Sequence, residues 1–136
     1  MTTHHESPVR AIHVSAAVIR DGAGRLLLVR KQGTTSFMQP GGKPEPGESG
    51  AETLVRELAE ELGVVIGMHV LRSRGVFRAP AANEPGFDVV ADVFDVDLGD
   101  QVPSAAAEIA ELRWVGADEA QTIDVAPLAR EHFLRD

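Results

Sequence analysis

The 136-residue sequence contains no cysteine and no tyrosine, and aromatic residues make up only 4% of it. The absence of cysteine excludes disulfide bonds, thiolate metal sites and cysteine nucleophiles. The sequence has no apolar run of about 18 residues, the length of a membrane-spanning helix, and residues 1–10 lack the apolar stretch of a signal peptide. We therefore expect a cytoplasmic protein with no membrane partner.

Positive charge is also scarce. The sequence has 13 Lys and Arg residues and 21 Asp and Glu residues, which gives a formal net charge of −8. Binding to nucleic acid relies on basic patches that attract phosphates, so this balance argues against a nucleic-acid partner. A single nucleotide remains compatible with the charge if metal ions and local Arg or Lys side chains offset its phosphates. The 43% hydrophobic content and the length suit a folded globule.

The chain divides into a short leader and one domain. We interpret residues 1–10 as a flexible leader and residues 11–136 as a single domain. Within the domain, residues 13–20 form a predicted buried strand, and residues 25–31 form its predicted hairpin partner after a Gly-rich turn.

Later segments continue the alternation of strands and helices. Strands are predicted over residues 68–78, 87–97 and 109–115. Helices are predicted over residues 50–62 and from Asp124 or the residues around Pro127 through Leu134. Strands that precede, separate and follow helices predict an α/β sandwich built on a mixed sheet.

The segment Gly42–Val64 places a Gly/Pro-rich turn before a short amphipathic helix. Three of its glutamates, Glu57, Glu60 and Glu61, share one edge of that helix, with apolar residues on the neighbouring arc. Carboxylates at this spacing repel one another and weaken a helix by roughly a few tenths of a kcal/mol per pair. A metal cation would offset the repulsion, and an all-oxygen ligand set suits Mg²⁺ or Mn²⁺ better than zinc.

Nine residues in and around this helix form one pattern of defined spacing: Gly42, Glu48, Arg56, Glu57, Leu58, Glu60, Glu61, Gly63 and Val64. The pattern resembles the Nudix box of MutT-like hydrolases, which cleave nucleoside diphosphates linked to another group and use a divalent metal. The resemblance implies an α/β/α Nudix sandwich in which helices flank a mixed sheet. It also implies a pyrophosphohydrolase, a hydrolase acting on acid anhydrides.

The resemblance assigns metal binding to Glu57, Glu60 and Glu61. In the family, the backbone carbonyl at the position of Gly41 or Gly42 also ligates metal. A purely structural turn is the alternative for these two glycines, since glycine permits backbone conformations that a side chain would block. The implied cofactor is Mg²⁺ or Mn²⁺.

The same resemblance pairs Arg56 with Glu48, an arrangement that orients the catalytic carboxylates, and an ordinary surface ion pair is the alternative. A general base is also required. Family members take it either from the box helix or from a loop before a late strand that carries a Trp. We predict Glu108, which lies six residues before Trp114, and Glu111 is the competing choice.

Substrate choice depends on residues outside the box. Phe37 and Gln39 immediately precede the box and are candidates for a nucleobase pocket, by stacking and by hydrogen bonding; core packing is the alternative. Lys43, Arg30 and Arg78 are candidates for contacts with phosphate. These residues leave open an NTP or dNTP, an oxidised nucleotide and an ADP-ribose-like compound.

The predicted reaction is attack of water on phosphorus in a nucleotide derivative. A nucleotide-sensing Nudix-like domain that binds without cleavage is the alternative, although such domains commonly lose box glutamates and this chain keeps them all. A calcium-stabilised scaffold is a further alternative, but the 12-residue calcium loop is missing. The expected partner is a small-molecule nucleotide, and homodimers are common in the family.

Overall fold

The computed structural model describes residues 10–134, which form six strands and two α-helices. In chain order these are β1 (Arg10–Val18), β2 (Leu26–Lys31), β3 (Gly41–Gly42), α1 (Gly50–Leu62), β4 (Arg72–Pro80), β5 (Phe87–Asp95), β6 (Ile109–Val115) and α2 (Pro127–His132). Two short 3-10 turns lie at Met68–Val70 and Glu119–Gln121.

The strands form a four-stranded sheet in the order β3-β1-β5-β4 and a two-stranded sheet of β2 and β6. The pair β1–β5 is parallel, and the pairs β1–β3, β4–β5 and β2–β6 are antiparallel. The predicted mixed sheet is therefore confirmed.

Helices cover both faces of the larger sheet. Because side chains on a strand alternate between faces, neighbouring residues of β1 enter two different hydrophobic clusters. Ala17 packs in the cluster that contains Leu58 of α1, and Ala16 packs in the cluster that contains Leu128 of α2. This arrangement confirms the predicted α/β sandwich.

The predicted hairpin between residues 13–20 and 25–31 forms only at its turn. Arg20 and Leu26 form an isolated bridge, and the Asp21 N–H donates to the Arg25 carbonyl oxygen at 3.0 Å and the Leu27 N–H to the Ile19 carbonyl oxygen at 2.9 Å. Beyond this bridge the prediction is wrong, because β2 pairs with β6. The residues at the end of β1 are buried on both faces, which favours an interior strand position between β3 and β5. The turn at Asp21, whose carboxylate accepts a hydrogen bond from the Arg25 N–H at 2.9 Å, then leads the chain into the second sheet.

Helix α1 begins and ends at the predicted residues. The Ser49 hydroxyl accepts a hydrogen bond from the Glu52 N–H, and the Glu52 carboxylate accepts one from the Ser49 N–H, a reciprocal capping box. Gly63 ends the helix with a left-handed φ of 69°. Leu54 and Leu58 are fully buried, so packing fixes which edge of the helix faces the turn before it.

Other boundaries differ from the predictions in small ways. Arg10 begins β1, and the rest of the predicted leader lies outside the described residues. The predicted strand over residues 68–78 begins only after the 3-10 turn. The last helix begins at Pro127, one of its two predicted starts, and ends at His132, two residues before the predicted end. No helix within residues 10–134 is long and apolar enough to cross a membrane.

Candidate active site

Gly41 and Gly42 bring the short strand β3 directly against the carboxylate edge of α1. The Gly41 N–H donates a hydrogen bond to Glu61 Oε1 at 3.0 Å. A Cβ on Gly41 would lie 1.9 Å from the Ser15 carbonyl oxygen, and one on Gly42 would lie 2.0 Å from Glu57 Oε2. Gly41 is therefore required, because its φ is 149° and its neighbour is backbone, whereas a side chain at Gly42 would displace the Glu57 carboxylate.

Glu61 is the most deeply buried carboxyl group of the box, with 3% of its surface exposed. Burial raises the pKa of Glu61 to about 7, against the lowering effect of the Gly41 hydrogen bond. The negative charges of Glu57 and Glu108 raise this pKa further, and the charge of Lys31 lowers it. The charges of Glu57, Glu108 and Lys31 are thus all close enough to Glu61 to affect its pKa.

Glu57 lies beside Glu61 on the same edge of α1. Burial raises the pKa of Glu57, the charge of Arg56 lowers it, and a hydrogen bond with Glu60 raises it again. The Glu60 side chain is about half exposed, so Glu60 forms the outer, solvent-facing side of the group.

Arg56 and Glu48 are joined by two hydrogen bonds, from Nε to Oε2 at 2.7 Å and from Nη2 to Oε1 at 2.9 Å. Arg56 Nη1 also donates to Glu57 Oε1 at 2.9 Å, and Nη2 donates to the Lys43 carbonyl oxygen. The hydrogen bonds from Arg56 lower the pKa of Glu48 to about 2. Arg56 therefore connects the turn before the helix to a box glutamate, which is the arrangement implied by the resemblance.

The donor set fits a hard divalent cation. Within residues 10–134, no three acidic or histidine side chains are already gathered as a metal-binding cluster. The available donors are nevertheless all oxygens, and the pKa values of Glu57 and Glu61 are raised mainly because burial disfavours their negative charge. A cation such as Mg²⁺ or Mn²⁺ would stabilise the ionised form of these carboxyl groups.

A cavity of about 710 Å³ opens over this site. Its charged end is lined by Gly42 and Glu57 on the side of the box, and by Lys31 and Glu108 on the side of β2 and the segment before β6. Lys43 lies at the same end and is exposed. Carboxylates and cations from three segments of the chain thus converge on one opening.

The other end of the cavity is apolar. It is lined by Val14 of β1, Val89 of β5 and Leu128 of α2, and residues 81–84 of the loop between β4 and β5 complete the lining. No aromatic ring is among the described residues that line the cavity. A group bound at this end would lie against aliphatic side chains.

Two predicted site residues reach the cavity from outside the box. Gln39 is buried, donates from Nε2 to the Ala17 carbonyl oxygen at 3.0 Å, and has no hydrogen-bond partner for Oε1 among the described residues. Glu108 lines the charged end, whereas the competing Glu111 is not part of the lining and pairs with Arg113 at 2.7 Å.

Glu48, Glu60 and Glu61 of the box are not among the residues that line the cavity, and neither are three predicted residues from outside the box. Phe37 is buried in the core, with the Arg113 guanidinium 5.1 Å from its ring centre. Arg30 donates to the Thr34 carbonyl oxygen at 2.9 Å, and Arg78 donates to Asp88 at 2.8 Å. The structure therefore does not bring these three side chains together with the box glutamates.

The sequence analysis did not identify the apolar wall contributed by β1 and α2. Strand alternation places Val14 on the same face as Ala16, but nothing local indicates that α2 closes over that face. The analysis also missed the contact of Ser15, whose hydroxyl donates to the Gly50 carbonyl oxygen at 2.8 Å and ties β1 to the start of α1.

Comparisons with known proteins agree with this geometry. The NUDIX domain family matches residues 9–136. A protein of Nocardia farcinica (strain IFM 10152) named isopentenyl-diphosphate Delta-isomerase is 35% identical over 126 residues, which cover 86% of this chain and 70% of that protein. A protein of Haemophilus influenzae (strain ATCC 51907 / DSM 11121 / KW20 / Rd) named 8-oxo-dGTP diphosphatase is 36% identical over 75 residues, which cover 52% of this chain and 55% of that protein.

Among solved structures, the chain is similar to the crystal structure of MutT protein from Methanosarcina mazei Go1, with a TM-score of 0.71 and 26% identity. The match covers 93% of this chain and 92% of that chain. The fold predicted from the box is thus confirmed along nearly the whole length of both chains. The chain belongs to the Nudix family, and the prediction of a Nudix pyrophosphohydrolase is confirmed.

Proposed function

We propose that the protein hydrolyses a phosphoanhydride bond in a nucleoside di- or triphosphate derivative. The observation that carries the proposal is the contact of Gly41 and Gly42 with Glu61 and Glu57 at the charged end of the cavity. Gly41, Gly42 and Glu57 line the cavity, whose volume of about 710 Å³ is within the range of small-molecule sites, and this supports the proposal.

Glu57, Glu60 and Glu61 would hold the divalent cation, together with a carbonyl oxygen at Gly41 or Gly42. When bound, Mg²⁺ or Mn²⁺ would neutralise part of the diphosphate charge and lower the pKa of a water molecule. The hydrogen bonds of Arg56 to Glu48 and Glu57 are part of this proposal because they restrict where the Glu57 carboxylate can lie.

In the proposed reaction, water attacks one phosphorus, its proton passes to a carboxylate, and the bond from that phosphorus to the bridging oxygen breaks. The products are two phosphate compounds, such as a nucleoside monophosphate and pyrophosphate. Glu108 is the proposed proton acceptor because it lines the cavity near Glu61, while Glu111 is held by Arg113 outside the lining. A box glutamate is the alternative acceptor.

For the substrate, we propose that the phosphates lie at the charged end, near Lys43, and that the remaining group lies along the aliphatic wall. Gln39 supports a hydrogen-bonding role because its Oε1 has no partner among the described residues. Phe37, Arg30 and Arg78 are left out of the proposed contacts because each is engaged elsewhere.

The name of the Haemophilus influenzae relative adds an oxidised guanine nucleotide to the candidate substrates. The name of the Nocardia farcinica relative adds a second candidate, the isomerisation of isopentenyl diphosphate. The absence of rings in the described cavity lining favours this second candidate, because a short hydrocarbon needs only aliphatic contacts.

The test is a substrate panel assayed with Mg²⁺ and with Mn²⁺. It contains NTPs, dNTPs, 8-oxo-dGTP, ADP-ribose, nucleotide sugars and isopentenyl diphosphate, each scored by kcat/KM for hydrolysis and, for the last, for isomer formation. We expect metal-dependent hydrolysis of at least one nucleotide. Binding of nucleotides without turnover would instead support the nucleotide-sensing alternative, and isomer formation alone would support the second candidate.

We also propose that the protein acts in the cytoplasm on a small molecule, without a nucleic-acid partner, and as a possible homodimer. The net charge of −8 supports the lack of a nucleic-acid partner. Light scattering on the purified protein measures its mass in solution, and a monomeric mass would contradict the dimer.

A further inference from the structure

We propose that Lys31 and Glu108 form an exchangeable ion pair at the charged end of the cavity. In the free protein Lys31 forms an ion pair with Glu108. A bound diphosphate replaces Glu108 as the partner of Lys31, and the Glu108 carboxylate is then unpaired beside the substrate. This inference rests on the proposed function, since it concerns how a diphosphate enters that same site.

The backbone directs Lys31 into the cavity through an irregularity in strand pairing. Arg30 pairs with Glu111, but the next residue, Lys31, pairs with Ile109, so the register shifts between two consecutive residues. Bulges of this kind change the direction of a side chain and are frequent near active sites. Here Lys31 lines the cavity, whereas Arg30 is not part of the lining.

Glu108 is held opposite Lys31 by the same part of the ladder. The Gln32 N–H donates to the Glu108 carbonyl oxygen at 2.9 Å, and Lys31 Nζ lies 3.3 Å from Glu108 Oε1. Both side chains also influence the pKa of Glu61, Lys31 by lowering it and Glu108 by raising it. The pair is thus close to the box glutamates as well as to the cavity.

The Lys31–Glu108 pair has the properties of a replaceable contact. It consists of one 3.3 Å contact between side chains that are 36% and 62% exposed, and such exposed single-contact pairs are weak. The Arg56–Glu48 pair differs, because two shorter hydrogen bonds join less exposed side chains. A diphosphate carries more negative charge than one carboxylate, so it competes successfully for Lys31 and not for Arg56.

The remaining cations of the lining do not offer the same exchange. Within the described residues, the cavity lining contains Lys31, Lys43 and Arg56 as its basic side chains. Arg56 is bound to Glu48 and Glu57. Lys43 forms no ion pair with a carboxylate of residues 10–134, unlike Lys31. Lys31 is therefore the cation through which phosphate binding would change the state of a candidate base.

The test measures the affinity of methylenediphosphonate, a diphosphate that cannot be hydrolysed at its bridge, by calorimetry at fixed Mg²⁺. The proteins compared are the unmodified chain, K31Q, E108Q and the double variant K31Q/E108Q. We expect K31Q to weaken binding by roughly tenfold or more and E108Q to tighten it by roughly three- to tenfold, because E108Q removes the competitor for Lys31. In the K31Q background, E108Q should have no such effect.

Glu111 provides the matched control, because it lies three residues further along and also pairs with a basic side chain, but outside the cavity lining. E111Q should leave the affinity for methylenediphosphonate unchanged. K31R keeps the positive charge and should preserve the tightening caused by E108Q. Melting temperatures of all variants identify any that fail to fold, and K31M, which also removes the positive charge, replaces K31Q as the background in that case.

Two results would overturn the inference. One is an E108Q variant with unchanged affinity, or with the same tightening in the K31Q background, since a distant charge effect does not require Lys31. The other is a lack of methylenediphosphonate binding by the unmodified protein. Failure of the proposed function is distinguished separately, because it appears as an absence of turnover in the substrate panel even when the exchange between Lys31 and Glu108 is measured.

Discussion

The charged end and the apolar end of the cavity are stabilised by different kinds of contact. At the charged end, Arg56 fixes Glu48 through two hydrogen bonds and Gly41 binds Glu61, all within about two turns of helix and the bend before it. At the apolar end, Val14 and Leu128 come from opposite ends of the chain and meet only through packing. The comparison indicates that the chemistry depends on short-range polar geometry, whereas substrate fit depends on long-range packing.

The largest effect should come from Glu61→Gln at the charged end. We expect kcat to fall by about 10²–10⁴-fold for the best substrate of the panel, because the variant removes a carboxylate that we propose holds the metal and is an alternative proton acceptor. The Gln side chain can still accept the Gly41 hydrogen bond, so the fold should be kept. Turnover and circular dichroism of the variant check both statements, and unchanged turnover would reject the role of Glu61.

The same variant should be more stable than the unmodified protein once metal is removed. Folding raises the pKa of Glu61 from 4.5 to about 7, so the ionised form opposes folding, and stability is lost as pH rises from about 4.5 to about 7. In chelator, the free energy of unfolding of E61Q should exceed that of the unmodified protein by about 3 kcal/mol at about pH 8. The difference should vanish near about pH 4, and denaturant titration measures it.

Arg56→Met should have an intermediate effect. The variant leaves Glu48 and Glu57 without their shared partner, and loss of such supporting contacts costs roughly 10–100-fold in activity. Arg56→Lys keeps the charge but not the two-bond geometry, so it should recover only part of this loss. Glu45→Gln is the control, because Glu45 is largely exposed and approaches Arg56 only to 3.3 Å; a loss equal to that of Arg56→Met would contradict the assigned geometry.

The smallest effect should come from the rim of the apolar end. Asn83→Ala removes an exposed side chain from the loop over the cavity. We expect KM to change by less than roughly tenfold with kcat unchanged, and stability to stay within about 0.5 kcal/mol. Val102→Ala, at an exposed position outside the lining, serves as the control. A fall in kcat for Asn83→Ala would show that the two ends are not independent.

The part of the charged end that the box contributes was largely predictable because its geometry is local. The spacing of Glu57, Glu60 and Glu61 fixes them on one helix edge, and the Ser49 and Gly63 signals fix where the helix begins and ends. The pairing of Arg56 with Glu48 spans eight residues and follows from the same turn. Resemblance supplied the roles of these residues, and the structure supplied the distances.

The strand partners were less predictable because pairing is decided by contacts far apart in sequence. A Gly-rich turn between two apolar segments normally favours a hairpin, yet β1 pairs with β3 and β5 while β2 pairs with β6. Phe37 was open to two interpretations because an aromatic residue next to a site in sequence can either line the pocket or pack in the core, and distant contacts decide between the two. Its burial beneath Arg113 is set by β6, which lies more than 70 residues later.

The sequence by itself determined the helix, its caps and the carboxylate edge, because hydrogen bonds and side-chain spacing within one short segment need no distant partner. Only the tertiary structure decided the placement of Glu108 beside Lys31 and the aliphatic wall against Val14. Those contacts join segments separated by most of the chain, and their formation depends on the burial of two hydrophobic clusters on opposite faces of one sheet.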